Sequence, residues 1–313
     1  MKIATMDIGS NTVRLLLGDL AKDVLRRDAV QRQITRLAGG FHDGIYATES
    51  FDRTIRAVRE FANQARAFGA VEIRAVCTGV TRKAQDPRIF LQALLDEAGL
   101  SAIMIDGGLE AHISALGAVH EIGVSDKPIL LMDIGGFSTE FALIRRTDLQ
   151  AAISLELGSV AFTERYLLGD PPTAAQVGAC TEAVREILRD SKTLAGFGPR
   201  PNLVGTAGTV TTLAAMDLKM ERYEPYRLNR HILSAEAIER LLERMLQRTA
   251  VERLSMPGLE KGREDVIVAG ALISLSVLKH FELEQMMVTE GGVLEGLAHW
   301  PQWPVAGFSI DRA

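Results

Sequence analysis

Two acids in this chain, Asp7 and Asp133, each end an apolar run and are each followed by Ile-Gly. The stretches around them, KIATMDIGSNTVRLLLGDL and ILLMDIGGFSTEFALI, read as strand, glycine turn and strand. Glycine lets such a turn fold tightly and brings N–H groups close to an anion, while a carboxylate at the strand end can hold a metal ion. One glycine turn would say little, because such turns are ordinary in α/β proteins. Two of them, facing each other, would clamp a phosphate chain from both sides. The candidate anion contacts are Gly9, Ser10 and Asn11 in the first turn and Gly135, Gly136 and Ser138 in the second.

Two further turns are of related kind. In LVGTAGTVTTLAA a strand ending near Val204 meets Gly205, Thr206, Ala207, Gly208 and Thr209 before a helix. A helix start offers unpaired N–H donors and the positive end of the dipole, so an anion is stabilised there. Gly205, Thr206, Gly208 and Thr209 therefore join the phosphate candidates. In MVTEGGVLEGL, Gly291 and Gly292 occupy a similar place, and close strand-to-helix packing is the preferred reading there.

The elements that must position these turns alternate along the chain. An amphipathic helix is expected over Phe51 to Phe68 with Ser50 as its cap, a strand over Val71 to Cys77, and a helix from Asp86-Pro87 to Ala98. A strand from Ala102 to Ile105 leads through Gly107-Gly108 into a helix near Leu109 that carries Glu110. The polar stretch Gly123 to Pro128 is the expected boundary, giving domains 1–124 and 125–313. Beyond it, helices are expected from Thr173 to about Leu194, from about Thr209 to Met216, from Ser234, and from Arg263 to His280. Strands are expected over Asn202 to Gly205 and Met286 to Val288. The tail from Trp300 to Pro304 reads as packing.

With 313 residues the chain exceeds one comfortable core, and 47% hydrophobic with 24% charged residues is a normal globular composition. Cys77 and Cys180 form no metal spacing and suit a reducing compartment. No signal peptide is expected, and the apolar run Val266 to Leu278 is shorter than the roughly 20 residues that span a bilayer, so no membrane partner is expected. A net charge of −5 argues against a nucleic-acid partner. His42-Asp43 lies in a glycine-flanked loop, and six histidines offer no binuclear ligand set.

Several segments in this order resemble the exopolyphosphatase and guanosine pentaphosphate phosphohydrolase (Ppx/GppA) family of the actin, sugar-kinase and Hsp70 ATPase superfamily. They are DIGSNTVRLLL, AVCTGVTRKAQD, IDGGLEAHISALGA, DIGGFSTEFAL, SLELGSVAFTERY, GTAGTVTTLA, GREDVIVAGA and TEGGVLEGL. The resemblance spans nearly the whole chain and implies an α/β fold of two duplicated actin-like (ribonuclease H-like) ATPase domains with a cleft between them. It implies a magnesium-dependent hydrolase of the stringent response that releases terminal phosphate from short polyphosphate or from pppGpp; a cytoplasmic location is expected with it, and a homodimer as the commonest oligomer. Glu110 matches the family's water-activating carboxylate, Arg82 and Arg263 match cleft arginines, and Asp133 and Glu140 match a magnesium-holding pair that Asp7 would share. Arg14 is left without a role.

The sequence departs from the family pattern at three places. Phe137 stands where a third glycine is usual, and the alternation with Phe141 and Leu143 predicts that its ring joins their face. The segment Asp106 to Ala111 keeps only the last of three usual glutamates, and Ala207 replaces a glycine. Two other readings accordingly stay open, a catalytically weak nucleotide or polyphosphate sensor and a small-molecule kinase of the same superfamily. The family's long members also carry a helical HD-type domain that this sequence lacks.

Overall fold

The computed structural model describes residues 1–303, and Pro304 lies outside them. Among the described residues eleven strands form two sheets. The first contains β1 (Lys2–Ile8), β2 (Thr12–Ala21), β3 (Val24–Ile34), β4 (Glu72–Cys77) and β5 (Ile103–Met104), in the order β3-β2-β1-β4-β5. The second contains β6 (Ile129–Ile134), β7 (Thr139–Arg145), β8 (Asp148–Leu155), β9 (Asn202–Thr206), β10 (Ile232–Ser234) and β11 (Gln285–Val288), in the order β10-β11-β9-β6-β7-β8. In both, the strand carrying the acid is central, antiparallel to the next strand and parallel to the one after the crossover. Flanked on both sides, β1 and β6 are buried almost throughout, which is why each reads as a continuous apolar run. The sheets are copies, matching β1 to β6, β2 to β7, β3 to β8 and β4 to β9.

Twelve α-helices accompany them among the described residues. In the first half these are α1 (Thr48–Phe68), α2 (Pro87–Ala98) and α3 (Gly107–Ile122). Then follow α4 (Ser159–Tyr166), α5 (Ala174–Asp190), α6 (Lys192–Ala195), α7 (Ala207–Asp217) and α8 (Pro225–Leu228). The last four are α9 (Ala235–Leu246), α10 (Ala250–Arg253), α11 (Ile267–His280) and α12 (Val293–His299).

Each sheet nucleates its own core, and two helices cross between them. Ala111, Ala115, Ala118 and Val119 of α3 pack on Ile129, Leu131, Ala142 and Val204 of the second sheet. Conversely, Val293 and Leu297 of α12 pack with Val76 of β4 and Ile105 after β5 in the first lobe. The two crossing helices touch through glycines. A Cβ at Gly117 would lie 2.0 Å from Gly292 O, and one at Gly296 would lie 1.8 Å from Ile113 O. Gly291 thus serves close packing, as its sequence suggested, since its Cβ would lie 2.5 Å from Gly117 O, whereas a Cβ on Gly292 would come no nearer than 3.4 Å to Thr206 Oγ1. Trp300 is buried beside Trp303, with ring centroids 6.0 Å apart.

Several helix ends differ from expectation. α1 begins at Thr48 rather than at a Ser50 cap, because Ser50 Oγ donates to Leu37 O and Ala47 O instead of accepting from the helix. The long helix expected from Thr173 is capped by Thr173 but breaks at Ser191, whose hydroxyl accepts from Leu194 N and starts α6. α11 begins at Ile267 rather than at Arg263, and residues 264–266 before it form a turn in which Val266 N donates to Arg263 O at 3.1 Å. Phe137 does not extend the face of Phe141. It sits in the turn before β7 and packs half-buried against the first lobe's cluster, whereas Phe141 belongs to the second lobe's core.

Candidate functional site

The two acid turns are built alike. Gly9 N donates to Thr12 O at 3.0 Å, and Gly135 N donates to Ser138 O at 2.9 Å. They meet across the cleft, where a Cβ on Gly136 would come 3.5 Å from Asn11 Cβ. Between them lies a cavity of ≈ 130 Å³ lined by both turns, Asp7, Asp133, Glu110, Arg14, Arg32, Arg263, Phe137 and Tyr223, among others. Ser10 lines this cavity but is already engaged. Its Oγ accepts from Val80 N at 2.7 Å and so orders the short turn Gly79–Lys83 that carries Arg82.

Strand register places unlike partners in the two hairpins. Asp7 faces Arg14 across β1 and β2, while Asp133 faces Glu140 across β6 and β7. In the first hairpin Arg14 donates to Asp7 Oδ2 at 2.6 Å, and Thr78 Oγ1 donates to Oδ1 at 3.0 Å. Burial alone would lower the Arg14 pKa, but Asp7 and Asp133 outweigh it and hold the guanidinium more firmly charged. The second hairpin has no such partner within it. Asp133 accepts from Ser114 Oγ at 2.7 Å and Glu140 from Ser154 Oγ at 2.7 Å. Burial pushes both carboxyls up, Glu140 to about 7 with Asp133 adding to the shift.

Glu110 lies in the first turn of α3, whose cap Asp106 accepts from Leu109 N at 2.8 Å. The close approach of this helix start to β8 requires glycine, since a Cβ on Gly107 would lie 2.3 Å from Ser154 Cβ. Arg82 bridges the two glutamates, donating to Glu110 Oε2 and lying 3.8 Å from Glu140 Oε1. Burial, and then the nearby Glu140, raise the Glu110 pKa well above the usual carboxylate range, with Arg82 opposing them.

The third turn behaves differently from the first two. Ala207, Gly208 and Thr211 line the cavity. Gly205, Thr206 and Thr209 stand behind its wall: Gly205 is pressed against Met286 and Val210, Thr206 Oγ1 donates to Gly291 O at 2.8 Å, and Thr209 is buried against Gly270. Gly208 makes room for a side chain, because its Cβ would fall 1.8 Å from a guanidinium nitrogen of Arg263. Arg263 Nε in turn donates to Glu260 Oε2 at 2.7 Å, and the other Glu260 oxygen takes Arg32 from β3 of the first lobe.

Arg32, Glu260 and Tyr223 had no role in the sequence reading, and Arg14 had none assigned. Arg32 sits on an edge strand of alternating charge that reads as a solvent face, and Tyr223 in an irregular segment, so neither carried a signal. Among the described residues no three acids, histidines or cysteines are grouped to hold a metal ion by themselves. Asp133 and Glu140 are only partly offset, by Arg14 and Arg82 respectively, and Asp133, with Asp7 close enough to raise its pKa, faces the cavity with Glu140 behind it; this suits an ion that takes the rest of its oxygen ligands from water and phosphate.

A family model for the Ppx/GppA phosphatase family matches residues 24–299. Exopolyphosphatase 2 of Mycobacterium tuberculosis is 30% identical over 311 residues, covering 95% of this chain and 97% of that protein. The guanosine-5'-triphosphate,3'-diphosphate pyrophosphatase of Photobacterium profundum is 28% identical over 300 residues, covering 95% of this chain and 58% of that protein. The crystal structure of the Aquifex aeolicus Ppx/GppA family member superposes with a TM-score of 0.80 at 27% identity, covering 95% of this chain and 96% of that one.

Proposed function

The chain belongs to the Ppx/GppA phosphatase family, and from that premise we propose that it hydrolyses the terminal phosphoric anhydride of inorganic polyphosphate or pppGpp. The observation that carries this reading is the pair of matched glycine turns, Gly9 to Thr12 and Gly135 to Ser138, opening on one cavity with Glu110 and three arginines. Phosphoryl transfer asks mainly for positioning and for offset of charge on the phosphate oxygens. Backbone N–H groups of the two turns and the guanidiniums of Arg14, Arg32 and Arg263 supply both. Glu110 orients the attacking water and takes its proton. Its raised pKa makes it a stronger base than an ordinary carboxylate, and Arg82 holds its Oε2 so that the other oxygen is left to the water. Asp133 and Glu140, with Asp7 nearby, would hold magnesium, which when bound would supply positive charge to offset that on the phosphate oxygens.

We extend the reading to lobes of residues 1–124 and 125–313, a homodimer and a cytoplasmic location. Two free, buried cysteines suit that compartment, and no helix among the described residues is long and apolar enough to cross a membrane. Phosphate release from polyphosphate and from pppGpp, with magnesium and with chelator, tests the function. Glu110→Gln keeps the shape but removes the proton acceptor, so turnover should fall about 100-fold or more with substrate binding retained. An active Gln variant would remove Glu110 from the mechanism.

A further inference from the structure

The loop 260–265 of the second lobe rests on β3 of the first lobe and on the residues just after it. Glu260 pairs with Arg32, a Cβ on Gly262 would lie 2.2 Å from Ile34 Cδ1, and Asp265 pairs with Arg36 at 2.9 Å. Gly262 adopts φ +92°, so the tightest approach to the first lobe falls where glycine is favoured. A turn in which Arg263 N donates to Glu260 O at 3.1 Å brings the side chains of these two residues together.

Within this clasp one carboxylate serves two arginines from different lobes. Glu260 Oε2 accepts from Arg263 Nε at 2.7 Å, and Oε1 pairs with Arg32 Nε. Among the described residues neither guanidinium makes a hydrogen bond through its Nη groups. Arg263 is seated over Gly208 at the start of α7, and Arg32 lies 4.7 Å above the Tyr223 ring. Both arginines line the phosphate cavity, whereas Glu260 stands behind them and lines the neighbouring hollow. Each guanidinium is thus gripped at its Nε edge, with its Nη pair left to meet anionic oxygens. Simple Coulomb repulsion would make a carboxylate this close to a polyanion site a hindrance, so that removing it tightens binding. The grip on both Nε groups gives the opposite sign, because the two like charges are kept together and their planes are fixed before phosphate arrives.

We propose that Glu260 is a positioning residue that aligns Arg32 of the first lobe with Arg263 of the second, so that both forks meet one phosphate chain. This role rests on the phosphohydrolase reading for its substrate, and binding is measured apart from turnover so that the two can fail separately. Glu260→Gln keeps the shape but offers one acceptor and one donor in place of two acceptors, so it holds one arginine at most. It should lower kcat for tripolyphosphate and pppGpp about tenfold or more without lowering KM. Glu260→Asp keeps the charge but is one methylene too short to span both arginines, and should lose kcat several-fold. On an Arg32→Ala background, Glu260→Gln should cost several-fold less than on the wild type, because the two changes remove one shared interaction. Tripolyphosphate binding with chelator present, measured by calorimetry, should weaken several-fold in both Glu260 variants, and their melting temperatures certify folding. If the wild type hydrolyses neither substrate yet binds tripolyphosphate, and the Glu260 variants bind it more weakly, the positioning role stands and the hydrolase reading falls. Wild-type kcat or tighter tripolyphosphate binding in Glu260→Gln overturns the role. If Glu260→Gln does not fold, Glu260→Asp decides alone, and wild-type rates and binding in it overturn the role as well.

Discussion

Asp7 is answered by Arg14 and Asp133 by Glu140 at the same seven-residue offset, so duplication of a hairpin has produced one neutral copy and one doubly acidic copy. The neutral copy needs nothing further to be buried. The acidic copy is costly to bury charged, and its carboxyls respond by resisting ionisation. The consequence for stability has a definite sign. A carboxyl raised from 4.5 to about 7 in the folded state stays protonated there while the unfolded chain is already ionised. The stabilisation is therefore complete below the ordinary carboxylate range and is lost as pH rises through the folded value. Metal-free protein should accordingly melt lower at about pH 8 than at about pH 5.5. If the ionised pair holds magnesium as proposed, the metal should recover most of the difference at the higher pH and add little at the lower one. Scanning calorimetry at both pH values with chelator or magnesium checks this. Equal stabilisation at both would mean that the ion is held away from Asp133 and Glu140.

At the scale of elements, Ala207 illustrates how a local departure acquires a physical cost. It opens α7 at φ +65°, a region that favours glycine, which is the residue the family pattern has there. Ala207→Gly should stabilise the protein by up to about 1 kcal/mol, measured by urea unfolding, because relief of strain outweighs the extra freedom of glycine in the unfolded chain. A loss of stability would show that this backbone is relaxed as it stands. The hairpins themselves were legible, because a continuous apolar run, an Asp-Ile-Gly turn and a second, alternating run leave few alternatives. Glu110 and Arg82 were legible only through motif resemblance. Their contact depends on Ser10 ordering one turn and Gly107 admitting a helix start against β8, and neither is visible in a linear pattern. The same holds for Gly205, whose motif suggests a phosphate loop but whose missing side chain serves Met286 and Val210. Arg32 was hidden for another reason. On an edge strand a charge that reaches across a cleft looks like a charge that faces water.

For the whole molecule, the lobes are joined by contacts of two physical kinds. Around the cleft run ion pairs: Arg32 with Glu260, Arg36 with Asp265 at 2.9 Å, and Lys83 with Glu156. Those that are exposed are worth little alone and weaken with salt. Phe137 supplies an apolar contact, since it comes from the second lobe's turn yet packs on the first lobe's cluster. A ring used this way holds the two glycine turns at a fixed separation while also walling the cavity. Phe137→Ala should therefore cost about 1–3 kcal/mol, less than a fully buried phenylalanine, and lower the melting temperature by several degrees. The cost should grow when salt has screened the ion pairs that share the interface. Because the turns would no longer be held in register, KM for either substrate should rise with no gain in kcat per folded molecule. Melting curves and initial rates at about 0.05 M and 0.5 M salt measure both effects. An unchanged melting temperature with a several-fold higher kcat would mean that the ring merely obstructs the phosphate cradle, and that the crossing helices α3 and α12 with the ion pairs hold the lobes in register.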